Sequence, residues 1–169
     1  IIAFQEIKKR GWFSKLMTYL PDYDFIISQQ SSFMDQAIIY KKDLFDLVDR
    51  KELFAENDYF FAGRPPLQCD LIYKKNNERL SIINLHMKCC DSGLNRRKLA
   101  ANQLYDYLKS HLNKSLSDQY IVLGDWNDDL KDKPGEHCFD NFLKDDTMFF
   151  PTYDITYDLK QASYPKEPY

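Results

Sequence analysis

The chain predicts an α/β (α+β) fold, two mixed β-sheets with helices packed outside them. Three observations carry that reading. The β-branched run Ile121-Val122-Leu123 halts at Gly124 and reads as a buried strand. Two strand-like segments, residues 67–75 and 78–86, flank Asn76-Asn77, a dipeptide that tolerates positive φ and suits a tight hairpin turn. Two stretches, residues 8–20 and 95–112, carry apolar side chains at helical spacing.

The elements follow in order. Ile1-Ile2-Ala3-Phe4 is a strand running into Gln5-Glu6. Residues 8–20 form a helix with Trp12, Phe13, Leu16, Met17 and Leu20 on one face, stopped by Pro21-Asp22. Residues 23–28 and 36–41 are strands divided by the polar turn Gln29-Gln30-Ser31-Ser32. After the hairpin comes the clearest helix, residues 95–112. Leu94, Leu99, Leu104, Tyr105, Leu108 and Leu112 supply its apolar stripe, with Arg96, Arg97, Lys98 and Lys109 elsewhere on it.

With 169 residues, 44% of them hydrophobic, the chain can bury one sizeable core and reads as a single domain over residues 1–169. A formal net charge of −3 argues against a protein held on nucleic acid by a broad basic surface. It leaves room for an enzyme that grips a few phosphates. No run is long enough for a membrane span, and the start shows no signal-peptide pattern. The chain opens on Ile1-Ile2, inside a core strand, and an unpaired edge there would leave the sheet unfinished. It therefore reads as a piece of a longer polypeptide, with cytoplasmic, periplasmic and secreted locations all open. Cys69, Cys89, Cys90 and Cys138 lack the CxxC spacing of zinc or redox sites. Adjacent Cys89 and Cys90 bridge each other only under strain. Either four reduced thiols or a pairing of one of these two with Cys69 or Cys138 fits.

Three strands end in chemistry-bearing residues: Glu6, His86, and the pair Asp125 and Asn127 in Gly124-Asp125-Trp126-Asn127. The carboxyl ends of strands are where α/β sheets place their sites. A carboxylate offers a hard oxygen as base or metal ligand, and an amide offers a neutral donor to a phosphate oxygen. Blander readings stand beside these. Asp125 and Asn127 suit an Asx turn, Glu6 suits the dipole of the following helix, and a lone strand histidine is commonly a core residue.

The runs IIAFQE, INLHMK and IVLGDWND resemble, in order and spacing, the QE, NxH and GDxN motifs of the endonuclease/exonuclease/phosphatase superfamily. The resemblance covers nearly the whole chain. It implies a four-layer sandwich of the deoxyribonuclease-I-like kind, with a further Asn-bearing strand before this segment and a strand ending in Asp-His after it. It implies that Glu6 binds metal, Mg²⁺ or Mn²⁺, and that His86 contacts the scissile phosphate. Asp125 then orients or deprotonates the attacking water, and Asn127 holds a phosphate oxygen. Arg64 in Gly63-Arg64-Pro65-Pro66 falls where nuclease-like members place a phosphate-contacting arginine, and Lys88 beside His86 would add charge at the same phosphate. Asp35 falls near an acid that relatives use to orient the C-terminal histidine.

The expected activity is metal-dependent phosphodiester hydrolysis by a monomer, most simply of nucleic acid. Inositol phosphate or sphingomyelin hydrolysis is the alternative, and a non-catalytic module of the same fold is the second. Arg96-Arg97-Lys98 is a candidate nucleic-acid contact or a solvated helix face. Asp128 and Asp129 read as a solvated acidic turn, and His111 and His137 as surface residues. No Ser or Cys sits in a nucleophile elbow.

Overall fold

The computed structural model describes residues 1–112, 119–158 and 160. The strands are β1 (Ile2–Ile7), β2 (Tyr23–Ile27), β3 (Asp35–Lys41), β4 (Phe45–Glu52), β5 (Leu67–Tyr73), β6 (Glu78–His86) and β7 (Gln119–Asp125). The helices are α1 (Arg10–Met17), α2 (Leu94–Leu112) and a single turn, α3 (Asp140–Leu143). One sheet has the order β1-β3-β2 and is antiparallel throughout. The other runs β4-β5-β6-β7 and is mixed, because β7 joins β6 in parallel after the α2 crossover.

Strand alternation explains the four layers. On β3, Ile38 and Tyr40 face the second sheet, meeting Leu67, Cys69, Leu71 and Ile82. Ala37 and Ile39 face outward and take Phe13 and Met17 of α1. On β6, Ile82 faces the inter-sheet core, whereas Ile83 and Leu85 face α2 and pack on Ala100, Ala101, Leu104 and Leu108. The order is helix, sheet, sheet, helix.

Three features differ from the sequence reading. The first helix ends at Met17 rather than at residue 20, and its face narrows to Phe13 and Met17. Trp12 is 80% exposed and Leu16 is exposed too, because two turns lying on a sheet cover only one i, i+4 row. The α2 stripe is rotated from the expected one. Leu99 faces solvent while Ala100, Ala101 and Arg97 are buried, the two alanines allowing the helix to lie close to the sheet. β4 was not legible in the sequence. Asp46, Asp49, Arg50 and Lys51 interrupt any apolar alternation, as suits an edge strand exposed along most of its length. The Asn76-Asn77 turn is as expected, with Asn77 at φ +59°.

Candidate active site

The parallel register of β6 and β7 pairs His86 with Asp125, so the two strands finish side by side. Glu6 comes from the other sheet, and Asn84 brings it there. Buried in the apolar run of β6, Asn84 donates from Nδ2 to Phe4 O (2.9 Å) and Ala37 O (3.2 Å), and its Oδ1 accepts from Gln5 Nε2 at 2.6 Å. Those bonds tie β1 across the sheet interface directly before Glu6. A bulge between Phe4 and Ile7 then lifts Glu6 to φ +59° and directs it to the rim. Asn84 is the first residue of the NxH run, which by itself gives it no role. Its signal was a lone amide inside Ile82-Ile83-Asn84-Leu85, where an unpaired polar group would be costly.

Both carboxylates approach the same atom. His86 Nε2 lies 3.9 Å from Glu6 Oε1 and 3.8 Å from Asp125 Oδ2. The imidazole is buried at 4% exposure, while the two acids are open, with side chains 61% and 48% exposed. Burial first, and then the positive Arg64, lower the His86 pKa below its ordinary value near 6.5, against the opposing pull of Asp125 and Glu6. Its Nδ1 is buried with no hydrogen-bond partner among the described residues.

Asp125 and Asn127 form the Asx turn that their types favour, Asn127 N donating to Asp125 Oδ1 at 2.8 Å. The turn and the site coincide, since Asn127 at φ +51° directs its amide to Met87 O at 3.0 Å, next to His86. Gly124 is needed for the close approach of β6. A Cβ there would lie 2.1 Å from Leu85 O and 2.8 Å from Leu85 N.

Solved structures share this architecture. The human Nocturnin catalytic domain with bound sulfate anion superposes at a TM-score of 0.70, with 17% identity over 96% of this chain and 62% of that one. A mannosyl-6-phosphatase from Bacteroides thetaiotaomicron matches at 0.64 with 22% identity, over 78% of this chain and 52% of that one. TDP2 from D. rerio, complexed with single strand DNA product, matches at 0.59 with 16% identity, over 79% and 48%. The chain has the fold of these structures and of an endonuclease/exonuclease/phosphatase family protein from Bacteroides thetaiotaomicron, which matches at 0.60 with 20% identity over 78% of this chain and 50% of that one. The chain spans roughly half to three-fifths of the length of these structures. No protein-family model matches it, and no curated protein sequence does.

Within this shared fold, several side chains serve differently from expectation. Arg64 is buried, giving Nε to His86 O at 3.0 Å and Nη2 to Met87 O at 2.7 Å. Its charge sits behind the histidine as a strut. Lys88 remains beside the site, half-buried, with Nζ 3.5 Å from Cys89 Sγ. Asp128 is no solvated turn residue. Its side chain is 3% exposed, paired with Arg97 Nε at 3.1 Å and accepting from Cys138 N at 3.0 Å. Arg97 also donates to Lys88 O and Cys90 O, which takes it out of any nucleic-acid surface. His137 is not a surface residue. It is 2% exposed, its Nδ1 accepting from Phe139 N at 3.1 Å. His111 is half-buried against Tyr107. Asp35 is held by Arg10 Nε at 2.7 Å and by the Ser28 hydroxyl at 3.2 Å.

Among the described residues, no three His, Cys, Asp or Glu side chains group as a metal cage, and no helix is long and apolar enough to cross a membrane. The donors at the rim are exposed carboxylate oxygens. That set suits a hard divalent cation that keeps most of its waters and takes one or two carboxylates from the protein.

Proposed function

We propose that this chain carries the site of a divalent-metal-dependent phosphoester hydrolase, with phosphodiesters of nucleic acid as the first substrate class. The observation behind it is the convergence of Glu6 and Asp125 on His86 Nε2, at 3.9 and 3.8 Å, from three strand ends in two sheets. Glu6 would hold Mg²⁺ or Mn²⁺. Such an ion supplies Lewis acidity to a phosphoryl oxygen and charge stabilisation to the leaving oxygen.

The protein's own groups then divide the remaining work. Asp125 orients a water and draws its proton toward Oδ2. His86, its pKa lowered by burial and Arg64, is neutral at pH 7 with Nε2 facing the rim, and hydrogen-bonds a non-bridging phosphate oxygen there. Asn127 presents an uncharged amide to the oxygens that gain charge in the transition state. Lys88 adds a mobile positive charge at the substrate phosphate.

The test uses the full-length protein with Mg²⁺ against duplex DNA, single-stranded DNA, inositol phosphates, sphingomyelin and a sugar phosphate. Asp125→Asn and His86→Gln should each lower kcat by roughly 10² to 10⁴. Lys88→Ala should cost nucleic-acid cleavage more than cleavage of a small phosphodiester, and Arg64→Ala should cost fold stability as well. Full activity in excess chelator sinks the metal reading, and wild-type rates in both site variants sink the site. A second reading, a small-molecule phosphatase, is favoured by one observation. Arg64 and Arg97, two of the bases that would grip a polyanion, are bound to backbone carbonyls. Turnover of the sugar phosphate without DNA cleavage would establish it.

A further inference from the structure

Directly after the histidine strand, the chain exposes two adjacent thiols. Cys89 and Cys90 are both exposed, whereas Cys69 and Cys138 are buried, and all four are free. The two exposed sulfurs lie 2.8 Å apart, Cys90 Sγ donating to Cys89 Sγ, and Lys88 Nζ stands 3.5 Å from Cys89 Sγ on the other side. Cys90 occupies φ +72°, a backbone conformation that non-glycine residues avoid. An outward, hydrogen-bonded pair of thiols is no packing device, because neither side chain is enclosed.

We propose that Cys89 and Cys90 form a thiol–disulfide modification site, in which Cys89 is attacked first by a small oxidised disulfide and Cys90 resolves the adduct. The Cys89 thiolate displaces one thiolate from the disulfide, forming a mixed disulfide at Cys89. The Cys90 thiolate then attacks Cys89 Sγ and displaces the second thiolate. The two cysteines lose two protons and two electrons, and the small disulfide becomes two thiols.

Selectivity follows from the surroundings. The hydrogen bond from Cys90, and after it Lys88, lower the Cys89 pKa, while burial pushes Cys69 up to about 12 and raises Cys138 as well. Reversibility follows from geometry. Neighbouring Cα atoms are held ~3.8 Å apart by the peptide unit, below the usual ~4.4–6.8 Å of a disulfide, so the closed ring is strained and easily reduced. The carbonyls of this segment also position the site. Met87 O takes the Asn127 amide and Arg64, and Lys88 O and Cys90 O take Arg97. Closing the ring turns the 89–90 peptide, which lies between the Lys88 O and Cys90 O acceptors of Arg97, and so strains that anchor. Oxidation should therefore slow the phosphoester chemistry proposed above, a consequence that rests on that reading, while the modification does not.

The experiment treats the reduced full-length protein with oxidised glutathione, blocks remaining thiols by alkylation, and maps the digest by mass. The expected wild-type product is a peptide spanning Cys89 and Cys90 that is lighter by two hydrogens and reverts with dithiothreitol, while Cys69 and Cys138 are alkylated only after unfolding. Cys90→Ser should instead retain glutathione on Cys89, and Cys89→Ser should react at least tenfold more slowly. Wild-type protein that keeps both thiols free, or that holds a stable glutathione adduct without closing the ring, overturns the proposal. The mass readout needs no activity. If the reduced protein hydrolyses no phosphoester, the proposed function fails and the dithiol result stands.

Discussion

Glu6 adopts φ +59° without being glycine, a conformation costing an L-residue roughly 1–2 kcal/mol. Strain of this kind gathers where a side chain must be aimed. Two substitutions separate its roles. Glu6→Gln should leave the unfolding midpoint unchanged and weaken Mn²⁺ binding at least tenfold in a calorimetric titration. Glu6→Gly should lose the same binding while raising stability by up to ~1 kcal/mol, since glycine enters this region without a Cβ clash. A fall in stability for Glu6→Gly would show that the bulge carries no strain. His86 gives a second outcome. Its folded pKa lies below its unfolded value near 6.5, so the unfolded chain binds the proton more readily. Its contribution is intact above about pH 6.5 and is lost as pH falls from there through the lower folded value. Urea midpoints of wild type and His86→Gln should therefore converge on acidification, and parallel curves would contradict the burial argument.

The decisive element is β7, which lies against β6 at Gly124 with no room for a methyl group. Gly124→Ala would put Cβ 2.1 Å from Leu85 O, on a backbone at φ +127°. Neither strand can retreat without breaking the His86 and Asp125 register, so the cost should be at least about 2 kcal/mol in a denaturant titration. Near-wild-type stability would mean that β7 pairs less closely than described. The α2 helix anchors the same region from behind. Arg97 reaches from it into the 88–90 segment and pairs with the enclosed Asp128, leaving neither charge free for a ligand.

Taken as one body, the molecule carries a formal net charge of −3, with several of its bases engaged internally. Any grip on a polyanion is therefore local to the site rim. Duplex DNA binding by the metal-loaded full-length protein should show a log–log salt slope of only about −2 to −3, as for two or three neutralised phosphates. A slope steeper than about −5 would require a broad basic surface and would place DNA contacts outside this segment. Fluorescence anisotropy across a salt series reads this directly.

Local patterning carried much of this protein into view. Apolar runs ending in Gln5-Glu6, in Asn84-Leu85-His86 and in Gly124-Asp125-Trp126-Asn127 named the strands and their terminal residues, because a strand with one face on a core writes itself as a short apolar run. Of the three only β6 is buried, and Ile121 of the edge strand β7 is exposed, against the buried strand its β-branched run predicts. The helix starting near Asn95 was legible for the same reason. Long-range contact decided the rest. Arg64 and Asp128 are polar residues whose partners lie 22 and 23, and 31 positions away, and only folding showed whether water or protein satisfies them. The edge strand Phe45–Glu52 exists through pairing with β5, for which its own charged sequence offers no signal. The meeting of Glu6 with His86 depends on Asn84 bonding across two sheets over 80 residues of chain, a tertiary contact that no local periodicity encodes.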